Sequence, residues 1–121
     1  MAVISEDYVS LEIAELLKDK GFNEPTWTRY EDDNEVIFGD KYDWNNSPMG
    51  QTSAPTHQMA IKWLREVHNF YIWVEPNHDE EGLYNAHVKV GWWINNWAGV
   101  GYKTYEQACE AAIKYCLENL I

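Results

Sequence analysis

The clearest hydrophobic pattern in the chain is an amphipathic segment that begins near Thr56. Polar residues fill one side of it, and the apolar residues recur at three- and four-residue steps, at Met59, Ala60, Trp63, Leu64 and Val67. This spacing is typical of a helix that packs one face against a core. The pattern therefore predicts a helix from about residue 56 to residue 68, with Thr52, Ser53 and Pro55 supplying the N-cap and the first turn.

Two segments after this helix have strand-like patterns. Residues 70–75 are mostly aromatic and β-branched, which predicts a strand. The longest alternation of apolar and polar residues runs from Tyr84 to Ile94, and it predicts a central strand with one buried face. Residues 95–101 contain two glycines and two asparagines, which favours a loop.

The ends of the chain carry two further helix patterns. Ser10 suits the N-cap of a helix from 11 to 20, and Gly21 suits the left-handed position that stops it. Thr104 and Gln107 form a capping-box pattern before a helix at 105–119. Residues 1–7 are predicted to be a loose lead-in.

A hairpin is predicted between the first two helices. Its strands are residues 26–30 and 35–38, the polar turn is 31–34, and Gly39 ends the second strand. Residues 40–53 show neither the helical nor the strand periodicity of hydrophobic residues, which predicts a long loop. The order is αββαββα, so we expect one domain over residues 1–121 with an α+β fold. Its simplest form has two layers, with three helices on one face of a four-stranded, largely antiparallel sheet.

The charge of the chain restricts its partners. Twenty acidic residues against nine basic ones give a formal charge of −11. Nucleic acids and anionic membranes require Lys and Arg that neutralise phosphate, so we expect neither as a direct partner. The sequence pattern shows no secretory signal and no apolar run long enough to span a membrane. The expected location is therefore cytoplasmic.

The sequence offers little for catalysis or metal binding. Its four His and two Cys lack tight ligand spacing, so we expect no metal and no cofactor. Cys109 and Cys116 lie in the last helix, about 10.5 Å apart along its axis, which predicts two reduced, buried thiols. The acidic pairs at Asp32–Asp33 and Asp79–Glu81 fall in predicted turns and are interpreted as solvated. The expected protein is not an enzyme.

Aromatic residues are abundant and form the candidate interaction surface. The chain has seven Trp and eight Tyr. Trp44 and Trp97 fall in predicted loops, and Trp93 and His87 fall on the predicted polar side of the strand 84–94. Two interpretations stay open: these rings belong to the core, or they gather on one exposed docking surface.

Four segments carry a resemblance to a known group of proteins. They are YVS at 8–10, LLKDKGF at 16–22, APTHQMAIKWLREVH at 54–68 and YEQACEAAIKYCL at 105–117. These segments resemble small uncharacterised proteins of phages, prophages and mobile elements of gut bacteria, and the likeness extends over about half of the chain, chiefly its helices. The group has no assigned activity, so the resemblance implies a genomic setting and transfers no site.

The expected function is that of a small, acidic, non-enzymatic accessory protein that binds another protein. The acidity favours a basic partner, and a narrower hypothesis is mimicry of nucleic-acid charge. Self-association into a homodimer stays open. The alternative function is a small-ligand or carbohydrate-binding module that uses exposed Trp residues.

Overall fold

The computed structural model describes residues 7–31 and 33–121 of the chain, which divides into two compact units, Met1–Gln58 and Met59–Ile121. The predicted lead-in up to residue 6, and Asp32, lie outside the described residues. The helices are α1 (Leu11–Asp19), α2 (His57–His68) and α3 (Tyr105–Asn119), with a short 3₁₀ turn at Trp44–Asn46. The strands are β1 (Thr26–Tyr30), β2 (Ile37–Tyr42), β3 (Thr52–Ser53), β4 (Phe70–Pro76), β5 (Tyr84–Val90) and β6 (Ile94–Tyr102). The α+β class is confirmed, and the single domain stays a prediction.

The predicted four-stranded sheet is wrong, because the described chain forms two antiparallel sheets of three strands each. Their strand orders are β2-β1-β3 and β4-β5-β6. The two additional strands, β3 and β6, come from segments that were predicted to be loops. Both lie at sheet edges, where only one side of the backbone pairs, so residues with low strand propensity are tolerated. In the first unit α1 contacts β3, and in the second unit α3 contacts all three strands, so the predicted single four-stranded sheet beneath three helices is not formed.

In the first unit, the predicted start and stop of α1 are confirmed. The Ser10 hydroxyl accepts a hydrogen bond from the Ile13 amide, as an N-cap does. At the other end Gly21 has φ +92°, and the Phe22 amide donates to the Leu17 carbonyl. This is the left-handed glycine stop with its returning amide, and it buries the Phe22 ring beyond the helix.

Two boundaries in the first unit differ from their predictions. Strand β2 starts at Ile37 and continues past Gly39 to Tyr42, because this edge strand pairs with β1 as far as Thr26. Thr52 and Ser53 do not cap α2, which begins at His57. They pair with β1, and the Asn45 side chain bonds the Ser53 amide at 2.8 Å, so their polar groups are satisfied in a strand.

In the second unit, the predicted strand 84–94 is wrong beyond Val90. The chain turns at Gly91, which has φ +64°, and returns as β6 from Ile94. The two flanking predictions, the strand from residue 70 and the helix from 105 to 119, are confirmed.

Helix α3 contacts all three strands of this sheet. The Thr104 hydroxyl caps it by accepting from the Gln107 amide at 3.0 Å. Its buried side includes Cys109 and Cys116, which are free thiols, as predicted. Within residues 7–31 and 33–121, no helix has the length and apolarity that a membrane span requires.

Candidate functional site

The turn between β5 and β6 carries the most exposed aromatic side chains of the second unit. Trp92 is 73% exposed, Trp93 is 88% exposed, and Ile94 after them is 59% exposed. The turn is held in place at its base, since the Gly91 amide donates to the Asn69 carbonyl at 2.8 Å. We call Trp92, Trp93 and Ile94 the hairpin tip; a shallow groove of about 270 Å³ beside it is lined by Tyr71, Lys89, Gly91 and Trp92.

A second aromatic cluster lies on one face of the same sheet. Trp73 of β4 and His87 of β5 are directly paired, and their rings stack at 4.7 Å with an interplanar angle of 13°. The His87 Nε2 atom lies 2.7 Å from Oε1 of Glu75. When the carboxylate is ionised it can only accept, so the imidazole places its N–H on Nε2 and leaves Nδ1 without a partner among residues 7–31 and 33–121.

Trp97 lies on the other face of the sheet, beneath α3. It pairs with Val88, and because successive strand residues point to opposite faces, it is on the opposite side from His87. The Trp97 ring stacks on Tyr115 of α3 at 5.1 Å, with an interplanar angle of 18°. The two contacts, pairing and stacking, explain why Trp97 is only half-exposed.

The edge strand β6 has a bulge next to Trp97. Val88 pairs with Trp97 and Lys89 pairs with Asn95, so Asn96 is the additional, unpaired residue. The Tyr115 hydroxyl donates to Oδ1 of Asn96 at 2.6 Å. This bond orients the Asn96 amide and leaves its Nδ2 without a partner in the described part of the chain.

These side chains form an open groove of about 500 Å³ at the bulge. We call it the β6 groove; the described residues that line it are Trp73, His87, Val88, Asn95, Asn96, Trp97 and Ala98. Its wall combines two indoles, one imidazole and two carboxamides. A few polar groups within aromatic walls are typical of small-molecule sites.

Trp44 belongs to the first unit and has structural contacts there. Its indole N–H donates to the Thr26 carbonyl at 2.9 Å, and the Arg29 guanidinium lies 4.4 Å from its ring centre. The ring also meets Tyr42 edge to face. These contacts fix the 3₁₀ turn to β1, so Trp44 has a packing role in its own unit.

The structure separates the four predicted surface residues into three places. His87 and Trp97 line the β6 groove, Trp93 lies at the hairpin tip, and Trp44 packs in the first unit. Trp92 was missed, because the alternation of 84–94 assigned it to the buried face. A glycine directly before two consecutive Trp residues was the available signal for a turn.

The groove residues Asn95 and Asn96 were missed for a different reason. Asn95 and Asn96 were assigned to a loop, and nothing in one dimension places a bulge opposite Val88. Trp73 was recognised as an aromatic strand residue, but its partner His87 is set by the register between two strands. Residue spacing along the chain does not encode that register directly.

The groups considered for catalysis are cysteine thiols and the carboxylates of two acidic turns. Burial raises the pKa of the Cys116 thiol to about 12, which disfavours the thiolate that a nucleophile requires. The side chains of Asp79, Glu80 and Glu81 are exposed in the turn between β4 and β5, as predicted for a solvated turn, whereas Asp32 lies outside the described residues. In the part of the chain that the structure describes, no three His, Cys, Asp or Glu side chains are grouped to hold a metal.

Comparison with known proteins gives no match of any kind. No protein-family model, no curated protein and no solved structure is significantly similar to this chain.

Proposed function

We propose that this chain is a non-enzymatic accessory protein of phage or mobile-element origin, and that it binds a protein partner through its hairpin tip. The observation that carries the proposal is the pair of consecutive Trp side chains, 73% and 88% exposed. Scattered exposed apolar residues are ordinary, but three large ones in succession form a contiguous patch. Trp is also the residue type most enriched among binding hot spots.

The local charge at the tip favours a partner with an apolar pocket over one that is mainly basic. Lys89 is the charged residue lining the groove beside the tip in the described chain. The acidic turn Asp79–Glu81 is at the other end of β5, about 20 Å away at the usual rise of a strand. The net charge of −11 then serves solubility and approach of the partner more than the contact itself.

Affinity capture from a lysate of the host cell tests this proposal. The double variant Trp92→Ala/Trp93→Ala removes the indoles and keeps the turn, since Gly91 and its bond to Asn69 are unchanged. We expect its affinity for the captured partner to fall at least about 30-fold, because one hot spot contributes about 2 kcal/mol or more.

Phe38→Ala is the matched control, because Phe38 is also a large apolar residue, 68% exposed, but lies on β2 of the other unit. It should bind the same partner as the wild-type chain. Equal capture by the tip variant and the control would refute the proposal. If moderate salt releases the partner equally from the wild-type chain and from the tip variant, the result would instead support mimicry of nucleic-acid charge.

A second candidate function is the binding of a small ligand or a carbohydrate. The observation that favours it is the β6 groove, in which aromatic rings and unpaired polar groups converge. It uses different residues from the hairpin tip, so the two functions can be tested separately.

A further inference from the structure

We infer that the β6 groove binds one neutral saccharide ring. The inference rests on the second candidate function, ligand binding, and is independent of protein binding at the hairpin tip. It names a ligand class, a set of contacting atoms and an orientation against the sheet.

The unpaired polar atoms of the groove include both hydrogen-bond acceptors and hydrogen-bond donors. His87 Nδ1 is an acceptor when the imidazole is neutral, because Nε2 carries the N–H towards Glu75. Asn96 Nδ2 is a donor, because Oδ1 of the same amide already accepts from Tyr115. The Asn95 amide forms no side-chain hydrogen bond within the described residues and can do both. Hydroxyl groups donate and accept, so a ring that bears several adjacent hydroxyls can satisfy this mixed set.

The apolar part of the groove suits the face of such a ring. Trp73 is 40% exposed, and its stack against His87 covers one face of the indole and holds the ring rigid, so the other face is the aromatic surface left for a ligand. Rigid aromatic side chains bury a large area on binding with little loss of conformational entropy. The C–H face of a sugar can lie on this surface while its hydroxyls reach the amides.

Charge disfavours an anionic ligand in the β6 groove. The lining residues that the structure describes include no Lys or Arg, and the Glu75 carboxylate lies 2.7 Å from His87. Lys89, the strand partner of Asn95, is the cation beside the groove, and a phosphate or a carboxylate would also approach a chain of net charge −11. The same argument disfavours nucleotides.

A flat aromatic ligand is also disfavoured, because the two indoles cannot sandwich it. Trp73 and Trp97 lie on opposite faces of the sheet, since their partners His87 and Val88 are consecutive in β5. Each indole already has one ring face against another side chain, His87 for Trp73 and Tyr115 for Trp97. A planar base inserted between aromatic rings would require two free, facing rings.

The experiment is a titration of the full chain followed by NMR of the indole and amide N–H groups. The probes are methyl glycosides of glucose, galactose, mannose and N-acetylglucosamine, and uncharged nucleosides form the comparison arm. We expect saturable shifts at Trp73, Asn95 and Asn96 with at least one glycoside. Trp73→Ala should weaken that binding at least tenfold, and Trp93→Ala, which removes an exposed Trp of the β5–β6 turn outside the groove, should change it less than twofold.

Asn95→Ala provides a second variant, because Asn95 is exposed at the sheet edge and its side chain bonds no other residue in the described chain. We expect it to weaken glycoside binding threefold or more. Saturable binding of a nucleoside but of no glycoside would overturn the saccharide inference and leave ligand binding in place. No saturable shift with any probe would overturn both. Glycoside binding that Trp93→Ala abolishes and Asn95→Ala does not would overturn the assignment to this groove. None of these three outcomes bears on the proposal for the hairpin tip, which has a separate test.

Discussion

Tyr115 of α3 holds the bulged part of β6 through two separate contacts. Its ring stacks on Trp97 at 5.1 Å, and its hydroxyl donates to Oδ1 of Asn96 at 2.6 Å. Tyr115→Phe removes the second contact and keeps the first, whereas Tyr115→Ala removes both. The pair of variants therefore separates hydrogen bonding from stacking.

The expected magnitudes follow from the position of each contact. A hydrogen bond contributes about 0.5 to 1.5 kcal/mol net, and this one is exposed to solvent, so Tyr115→Phe should lower the free energy of unfolding by about 0.5 to 1 kcal/mol. The stack adds about 0.5 to 1.5 kcal/mol beyond the apolar area that it buries. Tyr115→Ala should therefore cost about 1.5 to 3 kcal/mol.

Urea unfolding followed by circular dichroism measures these differences, and the Trp97 indole N–H signal reports the local change. Tyr105→Phe is the matched control, because Tyr105 is in the same helix and its hydroxyl has no hydrogen bond within the described residues. It should leave the free energy of unfolding within about 0.3 kcal/mol of the wild-type value, as surface changes away from specific contacts usually do.

A double-mutant cycle between Tyr115→Phe and Asn96→Ala decides whether the bond contributes at all. Coupling of about 0.5 kcal/mol or more is expected if the two groups interact as described. Coupling near zero, or a Tyr115→Phe effect equal to that of Tyr115→Ala, would refute the division of roles between hydroxyl and ring.

Two further predictions concern titratable groups. Hydrogen bonds from Gln51 and Arg29 lower the pKa of Glu31 from 4.5, so the stability that this carboxylate contributes is present above pH 4.5 and is lost as the pH falls through its folded pKa. Glu31→Gln should therefore be less stable than the wild-type chain at pH 7, and the gap should narrow in urea unfolding below pH 4.5; a gap independent of pH would contradict the assignment. Burial and a pKa of about 12 should make Cys116 unreactive towards a thiol reagent at pH 8 until the chain unfolds, and labelling of the folded chain as fast as free cysteine would contradict its burial.

The helices are where sequence reasoning was most successful. Ser10, Gly21 and Thr104 mark helix ends through bonds to residues three to five positions away, so a short window of sequence contains both partners. The buried face of α3 is likewise set by a local 3.6-residue period. The reduced, buried state of Cys109 and Cys116 followed from that same helical spacing.

The edge strands show where local patterns fail. Asn95 and Asn96 belong to β6 because Asn95 pairs with Lys89 and Trp97 pairs with Val88 on either side of the bulge, not because of their own strand propensity. Thr52 and Ser53 have good N-cap side chains, yet they pair with β1 and leave the start of α2 to His57. In both cases a backbone partner distant in sequence overrides the local preference.

At the candidate site too, some features follow from the sequence and others only from the tertiary structure. The sequence alone determined that this chain is rich in Trp and strongly acidic, since these are sums over residues and need no coordinates. Only the tertiary structure decided which rings are exposed and which meet: Gly91 turns Trp92 and Trp93 outward, and strand register places Trp73 against His87. Strand residues alternate between two faces, so one turn or one bulged residue reverses the side on which every later side chain lies. Strand pairing between residues distant in sequence therefore sets the exposure of these rings, and the amino-acid composition of the chain does not.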